Sequence, residues 1–333
     1  MIKIAIDAMG GDFAPEIVCN GINDYLKLDG KQDIHINLFG VEEEIKKYLN
    51  PTNQVTIIDT PDFIKMDEKD AISKVRTDKT SSLYLALRSV KLGESDGFVG
   101  AGPTGPVVAY SQLIVKRIEG IRKVALTAIG TTGINPHPYC ILDVGANIDV
   151  SPINLVQYAI SGSIYAKEIL NINNPKVALI CNGVEKGKGR ELEREVYDLL
   201  TECPEVNFVG YMEPSEIFSH EYDVIVSDGF TQNAVMKTAE GTLKSFGKAF
   251  KGVIKSKFKN KIAYLLLKND LKPIFDTFGQ KDVGAAILLG INAPVLKAHG
   301  NSNADKFMKS IIQLENVIRN NVVEKIKESV KND

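Results

Sequence analysis

"GFVGAGPTGPVVAY", residues 97–110, reads as a buried strand, a glycine turn and the start of a helix. Phe98 and Val99 precede the turn, and Val107, Val108 and Tyr110 follow it. Strand, glycine turn and helix form the repeating unit of parallel α/β sheets. The alternation continues on both sides. "IKIAID" (2–7) leads to a helical segment from Pro15 to Leu28, and "IHINLFG" (34–40) leads to "EEEIKKYL" (42–49). "SSLYLALRSVKL" (81–92) has helical periodicity, with Ser81 or Ser82 as its cap. Further strands are expected at "VALTAI" (124–129), "YCILDVG" (139–145), "KVALICNG" (176–183), "DVIVSDG" (223–229) and "APVLKAHG" (293–300). Helices are expected over about 153–170 and 302–330. The pattern predicts the α/β class, a mostly parallel sheet with helices on both faces in three α/β/α layers. One enzyme unit over 1–333 is expected, long enough to form two coupled lobes sharing a cleft.

The bulk properties exclude several partners. A net charge of −2 argues against a generally basic nucleic-acid binder, so any electrostatic partner must meet a local patch. Cys19, Cys140, Cys181 and Cys203 are widely spaced and contain no C-x-x-C pair, which argues against a disulfide framework or a zinc site. No apolar run reaches the length of a membrane span, and "IKIAID" has no signal-peptide layout. A cytoplasmic protein is expected.

The strand ends carry the chemistry. "IAID" runs into Ala8-Met9-Gly10-Gly11-Asp12, "GFV" into the glycine turn, and "CILDV" into Gly145-Ala146-Asn147. "VALIC" runs into Asn182 to Gly189, "DVIVS" into Asp228 to Asn233, and "PVLKA" into His299-Gly300. In a parallel sheet the carboxyl ends of the strands lie on one edge, where ligands bind. Glycine alone ends strands everywhere, but it does not explain the accompanying Asp, Asn, Lys and His.

"GAGPTG" (100–105) also matches the dinucleotide fingerprint G-x-G-x-x-G. The match lacks its partner. Glu119 has the right spacing for the ribose-binding acid but precedes the next strand instead of ending it. Pro103 removes an N–H from the loop that should approach the pyrophosphate. The turn therefore reads as an anion site, with backbone donors at Thr104 and Gly105, the Thr104 hydroxyl and the helix dipole. "GVEKGKGRE" (183–191) adds Lys186, Lys188 and Arg190 in a glycine-rich loop suited to phosphate or a developing oxyanion. "VRTDKTSS" (75–82) adds Arg76 and Lys79 beside Ser81, which could hydrogen-bond an anion or simply cap the helix. His299 is a candidate acid–base group. Asp7, Asp12, Asp143 and Asp228 are read as groups that orient cations and cap helices, without the spacing of a metal site. No G-x-S-x-G or other nucleophile signature is present, so the chemistry suggested is direct attack by a bound anion, with no cofactor and no metal.

Residues 244–261, "KSFGKAFKGVIKSKFKNK", contain seven lysines and no acid. Phe246, Phe250, Ile254, Phe258 and Ile262 follow at spacings of four, a helical stripe that predicts an amphipathic helix or helical hairpin within a basic helical insertion over 241–272. Its lysines, Lys248, Lys251, Lys255 and Lys261 among them, suit an anionic membrane surface or an acidic protein partner. A core helix with a solvated basic face is the third reading.

Taken together, "IAIDAMGGDFAP" (4–15), "LDVGAN" (142–147), "LVQYAISG" (155–162), "SDGFTQN" (227–233) and "APVLKAHG" (293–300) resemble the bacterial phosphate acyltransferases of phospholipid synthesis, the PlsX-type acyl-acyl-carrier-protein:phosphate acyltransferases. The likeness runs from residue 2 to about 325. It implies an isopropylmalate dehydrogenase/phosphotransacetylase-like fold and transfer of a long-chain acyl group from acyl-acyl-carrier protein to inorganic phosphate. It also implies a homodimer, peripheral membrane association and a glycerol-3-phosphate acyltransferase downstream. By the same resemblance, Gly10, Gly11, Thr104 and Gly105 would cradle phosphate. Lys188, in Gly183-Val184-Glu185-Lys186-Gly187-Lys188-Gly189, would stabilise the oxyanion beside Glu185, and Asn233 would donate to it. His299 would protonate the leaving thiolate or orient phosphate, and Asp143 and Asn147 are counted among the substrate- or phosphate-binding candidates. The chain departs from the family pattern at Gly100, Pro103 and Pro106, at Gln232 where the family has glycine, and around Val283 to Gly290.

Overall fold

Ile4, Ala5 and Ile6 are fully buried although they are consecutive, so both faces of their strand are covered. A strand buried on both faces belongs inside a parallel sheet. The computed structural model, which describes residues 1–68, 70–132, 137–219, 221–278 and 284–331, places it there. Among the described residues the strands are β1 (Ile2–Asp7), β2 (Ile34–Gly40), β3 (Val55–Asp59), β4 (Gly97–Gly100), β5 (Ala125–Thr132), β6 (His137–Leu142), β7 (Lys176–Ile180), β8 (Asn207–Met212), β9 (Val224–Val226), β10 (Ala286–Leu289) and β11 (Val295–Lys297).

The chain forms two compact units. The first comprises residues 1–128, 167–171 and 284–333, and the second residues 129–166 and 172–283. In the first, the strand order is β3-β2-β1-β4-β11-β10-β5. The pairs β3/β2, β2/β1, β1/β4 and β4/β11 are parallel, and β10 runs antiparallel to both neighbours. Asp7 is level with Gly100, and Gly100 with Lys297, so the loops after β1, β4 and β11 leave one edge together. In the second unit the order is β6-β9-β7-β8, all parallel. Leu142 and Leu179 are both level with Val226, which brings the loops after β6, β7 and β9 to one edge.

Helices cover the strands through apolar stripes. Ser81 caps the helix Ser82–Lys91 by accepting from the Tyr84 amide, and Leu83, Ala86, Leu87 and Val90 form its buried face. Asn303 caps Ala304–Arg319 in the same way, with Phe307, Ile311 and Leu314 inward.

Two expectations are corrected. The helix expected over 42–49 ends at Ile45. The expected C-terminal helix is two, Ala304–Arg319 and Val322–Lys331, separated where Asn321 takes a left-handed φ of 53°. The stripe from Phe246 to Ile262 takes the two-helix alternative. The helix Gly229–Ser256 ends at Lys257, which is extended, and Phe258–Phe278 starts afresh, so Phe258 and Ile262 belong to the second helix. The Asn260 side-chain amide donates to the Val253 carbonyl at 2.7 Å across the break. Val283 lies outside the described residues.

Candidate functional site

The first unit presents a glycine cradle. Asp7 ends β1 and is buried; it accepts from the Met9 amide at 3.0 Å and the Ser82 hydroxyl at 2.7 Å. Burial outweighs these bonds and raises its pKa, so its carboxyl holds a proton more readily than an exposed aspartate. Gly10 packs directly on Gly102: a methyl placed on it would lie 2.6 Å from the Gly102 nitrogen and 2.9 Å from Asp7 Oδ2. The Asp12 amide donates to the Gly300 carbonyl at 2.8 Å, which fastens the loop after β1 to the loop after β11. Gly11 lies in this loop, with φ +119°.

Next to this cradle, Pro103 precedes the helix Thr104–Ile114 and provides no side-chain cap. The amides of Thr104 and Gly105 make no hydrogen bond among the described residues and lie at the positive end of the helix dipole, where an anion could be accommodated. His299 is exposed, and its Nδ1 accepts from the Asn301 amide at 3.4 Å.

The turn before Ser81 differs from the expectation. Asp78 accepts from the amides of Thr80 and Ser81, both at 3.0 Å, from the Ser81 hydroxyl, and from Tyr110 Oη at 2.6 Å. Burial works against the Asp78 charge, but these donors outweigh it and hold its carboxyl below the usual range. Ser81 is buried and committed to this carboxylate and to its cap, so the reading of Ser81 as an anion ligand is corrected to a structural one. Arg76 and Lys79 remain exposed, with the Lys79 ammonium 4.8 Å from the Tyr84 ring centre.

The second unit brings together its own three loops. Asp143 is fully buried and accepts from the amides of Gly145, Ala146 and Asn147 at 2.7–3.1 Å and from the Asn147 side chain at 2.8 Å. Its oxygens are turned onto the loop, which makes it an organiser of backbone and not a ligand group. Asn147 also donates to Tyr158 Oη at 2.9 Å, and its carbonyl accepts from the Gly229 amide at 2.9 Å. Asn233 is exposed, one turn into the helix, and its amide donates to the Val144 carbonyl at 3.4 Å. Gly145, at φ +125°, leaves the space for it: a methyl there would lie 2.7 Å from Asn233 Nδ2.

The three cations of the loop after β7 have different fates. Lys186 pairs with Asp198 at 3.2 Å and lies 5.4 Å from the Tyr197 ring centre. Arg190 is bound to Glu193 and, at 2.6 Å, to Asp228. Lys188 is exposed and forms no ion pair among the described residues. Its stem passes within 3.3 Å of a methyl placed on Gly183, and its amide donates to the Glu185 carbonyl at 3.2 Å. Asp228 is the cap of Gly229–Ser256, accepting from the Thr231 amide and hydroxyl, each at 2.8 Å. Burial would raise its pKa, but Thr231 and Arg190 outweigh that and keep the carboxyl below its ordinary value. Sequence reading missed the positioning roles of Ser82, Tyr110, Tyr158 and Arg190. Ser82, Tyr110 and Arg190 act through partners 75, 32 and 38 residues away, and Tyr158 through Asn147, 11 residues before it in the loop after β6, so no local motif marks them. Among the described residues no group of three His, Cys, Asp or Glu side chains could hold a metal.

Gln232 is fully buried, and neither its Oε1 nor its Nε2 has a partner among the described residues. A buried amide without partners costs about 1–3 kcal/mol. Gln232→Met keeps the volume and removes the polar atoms, so the urea midpoint is expected to rise, by about 1 kcal/mol in stability at constant slope. A fall would mean that the amide is bound to a polar partner in solution.

Three comparisons place the chain among known proteins. The fatty acid synthesis protein family model matches residues 2–325. Phosphate acyltransferase from Streptococcus uberis is 41% identical over 340 residues, covering 100% of each chain. Phosphate acyltransferase from Lacticaseibacillus casei is 39% identical over 326 residues, 98% of this chain and 94% of that one. Among solved structures, a phosphotransacetylase from Streptococcus pyogenes matches with TM-score 0.63 and 19% identity, covering 96% of this chain and 94% of that one. A branched-chain phosphotransacylase from Enterococcus faecalis matches with TM-score 0.63 and 14% identity, covering 96% and 99%. The solved structures share the fold, which is the α/β architecture expected from the strand pattern.

Proposed function

The chain belongs to the fatty acid synthesis protein family and is an acyltransferase of the phosphate acyltransferase kind; from that premise we propose that it moves a long-chain acyl group from acyl-acyl-carrier protein to inorganic phosphate. The full-length relationship at about 40% identity carries the reading. A phosphate oxygen attacks the thioester carbonyl carbon, and a tetrahedral oxyanion forms. The C–S bond then breaks, the thiolate takes up a proton, and acyl phosphate and free carrier protein remain. In this reading, the amides of Thr104 and Gly105 hold phosphate beside Gly10 and Gly11, and Arg76 and Lys79 attract it. Lys188 and Asn233 donate to the oxyanion, and His299 delivers the proton to sulfur. The exposed apolar residues Phe246, Phe258, Leu265 and Leu266 are assigned to peripheral membrane contact.

The test is direct. Purified protein is mixed with long-chain acyl-carrier protein and phosphate, and acyl phosphate is trapped with hydroxylamine. Phosphate-dependent acyl hydroxamate is the expected product. Product from acyl-coenzyme A but none from the carrier would move the assignment to a phosphotransacetylase-like activity.

Gly10→Ala tests the cradle. Its methyl forces the Gly10 and Gly102 backbones apart, at a cost of about 1–3 kcal/mol in stability. The phosphate KM is expected to rise roughly tenfold, about 1.4 kcal/mol of lost binding. A phosphate KM equal to that of the parent would detach this loop from phosphate.

A further inference from the structure

The helix Gly229–Ser256 has a basic face and an apolar face, and they do not adjoin. At 3.6 residues per turn, Asn233, Lys244, Lys248, Lys251 and Lys255 fall within an arc of about 60°. Phe246, Phe250, Val253 and Ile254 fall on an arc centred about 140° away. All four lysines are exposed. Lys248, Lys251 and Lys255 form no ion pair among the described residues, and Lys244 is 3.9 Å from Glu240. Lys244, Gly247, Lys248, Lys251, Gly252 and Lys255 lie together on the open surface of this one helix. A methyl added at Gly241, Gly247 or Gly252 would meet nothing within 4 Å. Glycine inside a helix costs about 1 kcal/mol relative to alanine, and no contact among the described residues explains these three. They leave bare backbone beside a row of lysines, three of them unpaired among the described residues, which a partner surface can approach closely.

We propose that this lysine row docks an acidic surface of the acyl-carrier protein and directs its thioester towards the Asn233 end of the same helix. The inference rests on the carrier-protein donor proposed above. Charge complementarity is its first support: the row is basic along its length. Geometry is the second. At 1.5 Å per residue, the row from Lys244 to Lys255 is about 17 Å long, and Lys244 lies about 17 Å along the axis from Asn233. A single phosphate does not span such a row, whereas a surface of two or three helical turns does. The distance to Asn233 suits a donor whose reacting bond is carried on a long arm. A membrane fits the row less well. A helix lying in a lipid interface holds its lysines at the borders of its apolar face, where they snorkel to headgroups. Here a bilayer against the phenylalanines would have the lysine row turned away from it.

The test compares two donors with the same reacting bond, acyl-carrier protein and acyl-pantetheine. In the triple variant Lys248→Glu/Lys251→Glu/Lys255→Glu, kcat/KM for the carrier-bound donor is expected to fall at least tenfold relative to that for acyl-pantetheine. The loss should appear in KM, and added salt should narrow the gap between parent and variant. All three residues are exposed, and circular dichroism checks the fold. A second variant, Lys27→Glu/Lys65→Glu/Lys91→Glu, makes the same change in net charge elsewhere and should keep the parent ratio. A parent ratio in the first variant would overturn the proposal, and so would an unchanged ratio with lost binding to anionic phosphatidylglycerol vesicles, which would give the row to the membrane. An equal loss in both triple variants would reduce the effect to net charge and also overturn it. Failure of the donor reading is distinguishable, because the unmodified protein would then make no acyl phosphate from the carrier-bound donor.

Discussion

Lys188→Ala is expected to lower kcat by roughly 10²–10³, the loss that follows removal of one oxyanion donor. The KM for either substrate should move much less, because the contact forms fully only once negative charge has developed on the carbonyl oxygen. The structure gives the reason for choosing this lysine among three neighbouring cations. Asp198 and the Tyr197 ring hold Lys186, and Glu193 and Asp228 hold Arg190. Those two charges are already spent on the fold, and only Lys188 leaves the loop unneutralised among the described residues. Lys186→Ala is therefore the matched control and should change kcat by no more than about twofold, as for an exposed ion pair. Lys188→Arg keeps the charge but offers a planar fork in place of a compact ammonium, so partial activity is expected. Single-turnover measurement of acyl phosphate formation reads the chemical step directly. Near-normal turnover in Lys188→Ala would remove this residue from the mechanism.

How far the sequence disclosed this arrangement depends on the range of the interactions involved. The inner parallel strands were legible because both their faces are buried and their residues are apolar without interruption, as in Ile4-Ala5-Ile6 and Val224-Ile225-Val226. β3 and β8 end their sheets and carry exposed or half-buried residues through most of their length, so they offer no such run. β10 is only four residues and antiparallel, a reversal that nothing local encodes. The basic stripe allows a hairpin, but its turning point at Lys257 is not legible, because apolar residues keep their spacing across it while no glycine or proline marks it. At the site, residue types at strand ends were readable, but their availability was not. Ser82 and Asp7 are 75 residues apart, Arg190 and Asp228 are 38 apart, and Tyr110 and Asp78 are 32 apart. These pairs decide which polar groups are committed to the fold and which can meet a ligand. Ser81 illustrates the consequence: its position suggests an anion site, and its partner is a carboxylate.

Glu315→Ala is expected to destabilise the first unit by about 3–5 kcal/mol, the cost of breaking a buried charge network by removing one member. The Glu315 side chain is 5% exposed and accepts from Tyr25 Oη at 2.7 Å, Lys31 Nζ at 2.6 Å and Arg319 Nε at 2.9 Å. Through them it joins the helices Glu16–Leu26 and Ala304–Arg319, whose packing supports the loops after β1 and β11. Alanine leaves the Lys31 ammonium and the buried Tyr25 hydroxyl without their acceptor. Glu315→Gln keeps one acceptor and the side-chain shape, so its cost should be smaller. Burial works to raise the Glu315 pKa, but the three donors outweigh it and hold the folded value below the ordinary one. A carboxyl with a depressed folded pKa stabilises the protein above its unfolded pKa, about 4.3 for glutamate, and loses that contribution as pH falls through the folded value. Urea unfolding at pH 7 and in steps below about pH 4.3 should therefore show the parent losing its advantage over Glu315→Ala as the acid is added. A constant difference between the two proteins across that range would show that the Glu315 charge does not stabilise the fold, and would leave packing alone to account for the cost of the substitution.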